Sequence, residues 1–328
     1  MELNVRQRQL LELLSINCRF SNKDIAKSLH CSEDAIEYQI NKLIEEEKLS
    51  TFSVQFDYGL LGYTHYHLLI RVKDLKIEYG FLSKMKEIIS INSSYGKFDL
   101  QLIALVKTKE ELEKVIKEIN NILNIQDLSI SEFHSYIKMF TNIIPPIEIN
   151  AKVPTNRKNK VYILNSKEYS YSKNRSLITL DNVDKKIISL ILKSPRIKYA
   201  EISEKTKLNQ ETIRYRVNNY VQRKFIMNFG LLHDFKRYGL YTTQLLVKLK
   251  DVSKELKEFL HKNSHVFYSA RLIGSYDAVI YIVSKDPLEL GDKLKEVRSI
   301  LKDDLINMDL IYMEKIYKYT QFPMQDLD

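Results

Sequence analysis

Residues 180–220 read LDNVDKKIISLILKSPRIKYAEISEKTKLNQETIRYRVNNY, and residues 3–43 read LNVRQRQLLELLSINCRFSNKDIAKSLHCSEDAIEYQINKL. The two segments align without a gap when the numbering is shifted by 177, and apolar positions are kept between the identical ones. Further along, at an offset of 178, Gly96-Lys97-Phe98-Asp99 aligns with Gly274-Ser275-Tyr276-Asp277. The chain is therefore predicted to be a tandem duplication, with the same fold in both copies.

The first part of each copy has the pattern of three short helices followed by an extended pair. Apolar residues recur at helical spacing, and Ser21, Ser32 and Asn209 stand where helix caps are expected. The segments that follow alternate in polarity, which is typical of a strand or a wing. Together they predict a winged helix-turn-helix in each copy. The predicted helices are 4–15, 22–29 and 33–46 in copy one and 181–193, 199–206 and 210–223 in copy two, and the extended segments are 50–58 and 226–235.

The second part of each copy changes its periodicity to alternating strands and helices. The order β-α-β-β-α-β predicts a ferredoxin-like sheet with helices on one face, so the fold class is α+β. The predicted strands are 63–72, 96–106 and 127–140 in copy one and 241–249, 274–284 and 305–319 in copy two, with a short strand before each glycine turn. The predicted helices are 77–89, 109–123, 252–262 and 286–301.

A basic connector separates the two copies. It opens with Pro145-Pro146, has little periodicity, and from residue 151 onward has one acid, Glu168, among its lysines and arginines. We expect a solvated linker, with tracking of DNA phosphates as the alternative. The predicted domains are 1–58 and 179–235 (winged helix-turn-helix), 59–144 and 236–328 (ferredoxin-like effector and dimerisation domains) and 145–178 (linker).

This order of modules resembles the Lrp/AsnC family, the feast/famine transcriptional regulators of bacteria and archaea. The residues that carry the resemblance are Leu180-Asp181-x-x-Asp184-x-x-Ile187, Ile213-x-x-Arg216-Val217, Arg237-Tyr238-Gly239 and Ile273 to Asp277. The resemblance implies a DNA-binding regulator whose ferredoxin-like modules pair as a homodimer or as an intramolecular pseudo-dimer. Copy one departs from the pattern at Leu3-Asn4-Val5-Arg6-Gln7, Gln39, Lys97 and Phe98, which predicts that it has lost a function that copy two keeps.

Composition limits the function classes. The 328 residues include 51 Lys and Arg against 42 Asp and Glu, and the net charge of +9 favours a polyanionic partner. Eight Gly, six Pro and two Cys argue against phosphate loops, low-complexity linkers and disulfide scaffolds. Apolar runs are too short for a membrane span, and the charged N-terminal segment does not resemble a signal peptide, so we expect a cytoplasmic protein. The abundance of Lys, Ile, Asn and Tyr suggests an archaeal source.

The charge of the third helix differs between the copies. Residues 33–48 contain six acids and two bases, whereas residues 210–225 contain one acid and four bases. Because a recognition helix lies beside phosphates, this difference predicts that copy two binds double-stranded DNA, while the acidic helix of copy one serves as a dimerisation or partner surface. The residues predicted to contact DNA are Gln210, Thr212, Arg214, Tyr215, Arg216, Asn218, Asn219 and Arg223.

The turn Gly274, Ser275, Tyr276 and Asp277 is a candidate effector site. In the family that the sequence resembles, this turn lies near the amino-acid effector. Glycine permits the turn, and its amides could hold a carboxylate while a nearby acid pairs with an ammonium group. The alternative is a tight turn that the Asp side chain caps.

Other functions remain as alternatives. His65 and His67 lie on one face of a strand, and three imidazoles would converge on a metal if His134 joined them, but we predict no metal, no cofactor and no catalytic residue. Cys18 and Cys31 are predicted to pack in the helix-turn-helix. Sirohaem decarboxylases share this two-module architecture and bind a tetrapyrrole, although the absence of Trp and the Gly274–Asp277 turn follow the regulator pattern. A third alternative is an interaction protein that does not bind DNA.

Overall fold

The computed structural model describes residues 3–49, 51–74, 76–139, 153–154, 169–170 and 176–327, so most of the predicted basic connector lies outside the described residues. Copy one contains helices α1 (Val5–Ile16), α2 (Asn22–Ser28), α3 (Glu33–Glu45), α4 (Tyr79–Leu82) and α5 (Lys109–Ile122) and strands β1 (Thr51–Phe56), β2 (Thr64–Val72), β3 (Ile88–Gly96), β4 (Leu100–Val106) and β5 (Ile125–Lys138). Strand β6 (Tyr169–Ser170) follows. Copy two contains α6 (Asn182–Lys193), α7 (Tyr199–Thr206), α8 (Gln210–Gln222), α9 (Lys254–Lys262) and α10 (Pro287–Leu301) and strands β7 (Ile226–Leu232), β8 (Tyr241–Leu249), β9 (Val266–Gly274), β10 (Ala278–Ser284) and β11 (Leu305–Tyr319).

The described residues form two compact units, and each unit combines the same module of both copies. The helix-turn-helix unit contains residues 3–57, 153–154 and 180–240. The sheet unit contains residues 58–139, 169–170, 176–179 and 241–327. Each module therefore packs with its duplicate within this one chain.

In the helix-turn-helix unit, the wing strands pair between the copies. Strand β1 runs antiparallel to β7, with Val54 opposite Phe229. Each copy supplies a single strand, so the extended pair that the sequence predicts within a copy forms across the duplication instead. Both strands thereby satisfy backbone groups that one isolated strand would leave unpaired.

Two equivalent arginines make reciprocal contacts in the same unit. The Arg19 guanidinium donates to the carbonyl oxygens of Pro195 (2.7 Å) and Ile197 (3.0 Å). Arg196, at the equivalent position, donates to the Cys18 carbonyl (2.6 Å) and to Oδ1 of Asn22 (2.8 Å). Each guanidinium also lies against an aromatic ring of a wing strand, Arg19 at 5.1 Å from the Phe229 ring and Arg196 at 5.5 Å from the Phe52 ring. The two copies thus pair about a pseudo-twofold axis.

The sheet unit confirms the α+β, ferredoxin-like prediction in both copies. The strand order is β5-β2-β4-β3 in copy one and β11-β8-β10-β9 in copy two, all antiparallel. Helices cover one face of each sheet. Leu68 and Leu102 pack with Val115 and Ile119 of α5, and Val247 and Ile280 pack with residues of α9 and α10.

The two four-stranded sheets join edge to edge. Strand β3 pairs with β11, where Gly96 lies opposite Ile311, and β9 pairs with β5, where Gly274 lies opposite Ser131. Because β2 also pairs with β5, the eight strands form a closed ring, and β6 lies beside the far end of β5. The helices cover the outside of this barrel, so the residues that alternate with the helix-packed ones face its interior.

Helix α4 is much shorter than the helix predicted over 77–89, since it covers only Tyr79–Leu82. Ile88 already pairs with Ala104 of β4, and Leu82, Met85 and Ile88 pack in the same core. The β-branched run that begins at Ile88 therefore continues as a strand. In the part of the chain that the structure describes, none of the helices is both long and apolar enough to cross a membrane.

Candidate nucleic-acid interface

Helix α8 has a buried face and an exposed polar face. Ile213, Val217 and Tyr220 are buried in the helix-turn-helix unit, and Asn209 caps the helix by accepting from the Glu211 amide (2.8 Å). Of the residues predicted to contact DNA, Arg216 and Asn219 are half-buried. The others, Gln210, Thr212, Arg214, Tyr215, Asn218 and Arg223, are exposed.

Two of the exposed side chains on α8 suit a contact with a polyanion. The Tyr215 side chain is exposed, at 73% of its full accessible area. Arg214 donates to Glu211 at 2.6 Å, and both side chains of this pair are open to solvent. Because exposed ion pairs of this kind contribute little free energy, Arg214 can exchange its carboxylate for a phosphate at small cost.

Arg216 instead holds α8 against α6. Its guanidinium donates to Asp181 at 2.8 Å and to Asp184 at 2.6 Å, and the Tyr220 hydroxyl donates to the same Asp184 carboxylate. Hydrogen bonding from the Asp184 amide and then the Arg216 guanidinium hold the pKa of Asp181 below its usual value. The arrangement gives Arg216 a positioning role within the fold, which sequence reasoning missed.

Copy one replaces all three charges of this cluster by amides. Asn4 and Gln7 stand at the positions of Asp181 and Asp184, and Gln39 stands at that of Arg216. The capping box survives the change, since the Gln7 amide donates to Asn4 Oδ1 (2.9 Å) and the Asn4 amide donates to Gln7 Oε1 (3.1 Å). All three charges are absent from copy one together, and this joint difference is a signal in the sequence of the contact that copy two makes between its first and third helices.

The exposed face of α3 is acidic where that of α8 is basic. Glu33, Asp34 and Glu37 are exposed around Tyr38, which is 61% exposed. At the end of this helix Glu46 pairs with Lys48 (2.7 Å), and a hydrogen bond from that lysine lowers the pKa of Glu46. Positive charge on this side of copy one is thus partly neutralised by neighbouring acids.

The glycine of each sheet turn packs against the last strand of the other copy. Gly274 has a φ of +139°, and a Cβ there would lie 2.5 Å from the Ile130 carbonyl oxygen. Gly96 has a φ of +121°, and its Cβ would overlap the Leu310 carbonyl oxygen. Both positions combine a left-handed backbone with a close approach, which only glycine accommodates.

Three backbone amides of the candidate effector turn, those of Ser275, Tyr276 and Asp277, donate within the protein. The Ser275 amide donates to the Ile130 carbonyl (3.2 Å) and the Tyr276 amide to Ser131 Oγ (3.2 Å). Asp277 donates from its amide to Val247 (2.9 Å), while its carboxylate accepts from the Leu249 amide (2.8 Å) and from Lys248 Nζ (3.2 Å). This geometry corresponds to a tight turn that Asp277 caps. An effector carboxylate held by these three amides, as the sequence argument suggested, would have to replace the partners they have here.

Three of the seven histidines were weighed as metal ligands. His65 and His67 are both buried and share the interior face of β2, as their spacing predicts. His134 is half-buried and lies at a register irregularity of β5, next to Phe133, which stacks on His65. Within the described ranges, no group of three or more His, Cys, Asp or Glu side chains is placed to hold a metal ion.

The two cysteines are free thiols in the helix-turn-helix unit. Cys18 is fully buried, and burial raises the pKa of its thiol to about 12. A thiol with a raised pKa carries little of the reactive thiolate at neutral pH. Cys18 is therefore suited to packing, as predicted, and Cys31 lies half-buried at the edge of the same core.

Known proteins resemble parts of this chain and its whole fold. The family described as "Winged helix-turn-helix DNA-binding" matches residues 180–227. An uncharacterised HTH-type transcriptional regulator of Pyrococcus horikoshii is 27% identical over 125 residues, which are 37% of this chain and 84% of that protein. Pyrococcus horikoshii is an archaeon, which agrees with the archaeal source that the composition suggests.

Solved structures cover both the whole chain and one copy of it. The crystal structure of the siroheme decarboxylase NirDL matches with a TM-score of 0.63 and 13% identity over 98% of this chain and 97% of that one. The same enzyme in complex with an iron-uroporphyrin III analogue matches with a TM-score of 0.61 and 12% identity over 97% of this chain and 95% of that one. The structure of AsnC of E. coli aligns with 44% of this chain and 99% of its own length, with a TM-score of 0.39 and 18% identity.

The fold defines a class of architecture in which winged helix-turn-helix modules are joined to ferredoxin-like sheets. Within that class the chain carries both modules in tandem duplicate. The NirDL structures share this fold from end to end, and at 13% identity the likeness is one of fold alone.

Proposed function

We propose that the protein is a sequence-specific transcriptional regulator that contacts double-stranded DNA mainly through α8. One observation carries the proposal, which is the charge difference between two helices in equivalent positions of one pseudo-symmetric unit. The window 210–225 has a net charge of +3, whereas the window 33–48 has −4. Since DNA is a dense polyanion, the α8 face attracts it and the α3 face repels it.

The exposed side chains of α8 divide into two groups by their chemistry. Arg214 and Arg223 supply positive charge for phosphate oxygens. Thr212, Asn218 and Tyr215 offer hydroxyl and amide groups to base edges in the major groove, with Gln210 at the start of the helix. Arg216 acts indirectly, by fixing α8 on α6 through Asp181 and Asp184. Asn219, which is half-buried, completes the predicted set.

The acidic α3 face points to an asymmetric mode of DNA binding. A fused pair of equal heads would favour an operator with twofold symmetry, but here one head carries the opposite charge. We expect either an asymmetric site or a pair of chains that uses two α8 helices. The amino-acid effector at Gly274, Ser275, Tyr276 and Asp277 and the five-domain division stay predictions.

Fluorescence anisotropy of the full chain with promoter duplexes across a salt series tests the proposal. We expect the Arg214→Ala/Arg223→Ala variant to weaken binding and to reduce the slope of log K against log salt by about two, one for each phosphate contact. The matched control is Glu37→Ala, since Glu37 occupies the position of Arg214 in copy one. A wild-type chain that binds no duplex at low salt, or a double variant that binds as the wild type does, would overturn the proposal.

A tetrapyrrole is the second candidate ligand, and the whole-chain likeness to the siroheme decarboxylase NirDL is the observation that favours it. The test is a titration of the full chain with iron-uroporphyrin III followed by its absorption spectrum. A saturable spectral change at one equivalent, together with failure to bind DNA, would favour the hypothesis of a tetrapyrrole-binding enzyme. If neither DNA nor the tetrapyrrole bound, the alternative of a pure interaction protein would be favoured.

A further inference from the structure

Two helix faces of the helix-turn-helix unit carry opposite charges at equivalent positions. At the offset of 177, three acids of copy one align with three bases of copy two, namely Glu37 with Arg214, Glu46 with Arg223 and Glu47 with Lys224. Glu46 is half-buried, and the other five residues are exposed. The last pair also shares a left-handed backbone, with a φ of +54° at Glu47 and of +59° at Lys224. The sign of the charge is therefore inverted between the copies, whereas its spacing along the helix is the same.

The residues between these charges are the same on both faces. Tyr38 aligns with Tyr215 and Asn41 with Asn218, and all four side chains are exposed. Ile44, one turn after Asn41, is also exposed and adds apolar area to the face of α3. Aromatic rings with polar and charged groups around them are typical of protein–protein interfaces. Both faces thus have the composition of a contact surface.

The stability of the helix does not explain the negative charge of α3. Glu45, Glu46 and Glu47 stand at its C-terminal end, where the helix macrodipole disfavours acidic side chains. Neighbouring bases already belong to ion pairs, since Lys48 lies 2.7 Å and Lys42 lies 3.8 Å from Glu46. The exposed face is acidic, with Glu37 and Glu45 on it. Acids in an electrostatically unfavourable place indicate a partner that supplies positive charge.

A second copy of this chain is the partner that fits. Two chains with a net charge of +9 each repel one another as whole molecules, so attraction between them requires a local match of opposite charges. The face of α8 supplies that match, because it carries the opposite charge at the same spacing as the face of α3. Tyr38 and Tyr215 are 61% and 73% exposed, so neither face is covered within its own chain.

We propose that the exposed face of α3 docks against the exposed face of α8 on a second copy of this chain. The tyrosines of the two faces supply the apolar contact, and the charges around them select the pairing of unlike faces. Because like faces repel, the contact is heterologous, and each chain offers one face of either kind. Docking covers α8 and thereby keeps DNA from it. That consequence rests on the proposed function, whereas the association of the chains does not depend on it.

Sedimentation velocity of the full chain tests the association without DNA. Contacts between exposed charges are weak and are screened by salt. We therefore expect the sedimentation coefficient to rise with chain concentration at about 50 mM NaCl and to return to the monomer value at about 500 mM NaCl. A chain that stays monomeric at low salt up to about 100 μM would overturn the proposal and leave the face of α3 to a different basic partner.

Two complementary variants test which faces meet. The acidic variant, Arg214→Glu/Arg223→Glu, carries negative charge on both faces, and the basic variant, Glu37→Arg/Glu45→Arg, carries positive charge on both. Each variant alone should associate about tenfold more weakly than the wild type, because like charges then face one another. An equimolar mixture should recover the wild-type association, since each variant complements the other. Recovery in the mixture also shows that both variants are folded.

The matched control changes the same number of charges in the sheet unit. Lys254→Glu/Lys295→Glu alters two exposed positions of α9 and α10 and lowers the net charge as much as the acidic variant does. Its association should not weaken, since the repulsion between whole chains falls. A control as weak as the acidic variant would overturn the proposal. So would single variants that associate as the wild type does, or a mixture that stays monomeric.

A labelled promoter duplex in the same sedimentation experiment separates this proposal from the proposed function. We expect the duplex to compete with α3 for α8, so that self-association weakens as the duplex concentration rises. Self-association without DNA binding would leave this proposal intact and overturn the proposed function. DNA binding by a chain that does not self-associate would do the reverse. A duplex that binds the assembly without dissociating it would overturn docking on α8.

Discussion

The two helix-turn-helix modules have different residue types at equivalent positions of their first and third helices. Copy two joins its first and third helices with Arg216 between Asp181 and Asp184, and copy one has Gln39, Asn4 and Gln7 at the same three places. Both versions keep the capping box. Read from sequence alone, the missing Arg and Asp residues of copy one indicate a lost function. The structure shows instead that Arg216 serves packing within copy two, so its absence from copy one does not by itself indicate loss of DNA contact, which has to be argued from the exposed face of α3.

The turn glycines provide the largest expected effect, at positions where the copies remain alike. Gly274→Ala should lower the free energy of unfolding by about 2–4 kcal/mol, because it combines a positive φ with a Cβ too close to the Ile130 carbonyl. Gly96→Ala should cost a similar amount. Guanidinium denaturation of the full chain measures both. The control is Gly291→Ala within α10, where nothing lies within 4 Å and alanine should stabilise by about 0.5–1 kcal/mol. A nearly neutral Gly96→Ala would break the equivalence of the two turns.

The charged cluster of copy two comes next. Arg216→Gln should cost about 1–3 kcal/mol, because it leaves the buried Asp184 without its cation. Converting the cluster to the copy-one set, with Asp181→Asn and Asp184→Gln added, should restore most of the loss. Arg214→Gln, on an exposed pair, is the control and should stay within about 0.5 kcal/mol. A triple variant as unstable as the single one would contradict the idea of a coupled exchange.

The same cluster sets a pH dependence with a definite sign. The pKa of Asp181 is lowered in the folded state, so its contribution to stability is present above about pH 3.9, the value in an unfolded chain, and is lost as the pH falls through the folded value. The triple variant lacks this carboxylate, so its stability should fall less on acidification. Denaturation series at pH 7 and at pH 3 measure the difference. An equal loss in wild type and variant would count against it.

The reciprocal arginines should have intermediate and matched effects. Arg19→Ala and Arg196→Ala each remove two hydrogen bonds to the other copy and a contact with a wing aromatic ring. We expect each to cost about 1–2 kcal/mol, with Arg6→Ala, at an exposed position, as a nearly neutral control. Thermal unfolding of the three variants measures these costs. A large effect of one arginine and none of the other would show that the pseudo-twofold contact is unequal in energy.

The smallest expected effect concerns His233, which stands at the position of the buried Phe56 in copy one. Burial lowers the pKa of His233 to about 4, so the unfolded chain binds more protons between that value and about 6.5. Wild-type stability should therefore fall as the pH drops from 6.5 towards 4, and His233→Phe should flatten this part of the curve. Unfolding midpoints across the range test it, and a variant with an unchanged slope would contradict the assignment.

Local features of the fold could be predicted from the sequence because they depend on neighbouring residues. The caps Ser21, Ser32 and Asn209 all accept the helix amides expected of them. The periodicities located the winged modules and the ferredoxin-like sheets, and the Gly274 turn has the positive φ that its glycine suggests. Each of these inferences needs only a few consecutive side chains and their intrinsic preferences.

Long-range features could not be predicted in the same way. The pairing of β1 with β7 and the closure of the barrel join segments that are about half the chain apart. The residue pattern of a strand does not indicate which distant strand it pairs with. Arg216 was predicted to contact DNA because it matches the recognition-helix arginine of the family that the sequence resembles, yet its partners Asp181 and Asp184 come from the start of the first helix of copy two. His65 and His67 share a face as their spacing predicts, but only the fold shows that this face is the closed interior.

Pairing within one chain also changes how the protein can evolve. In a homodimer every substitution appears twice, at both symmetry-related positions, and must be tolerated in both. Here β5 and β11 complete the ring with strands of the opposite copy in the same polypeptide, so the partner is always present and each substitution occurs once. His65 and Thr242 occupy equivalent positions of the two copies, and such a difference can arise by a substitution in one copy alone. Because of the fusion, each half can accumulate substitutions independently, although both halves are encoded together in one polypeptide.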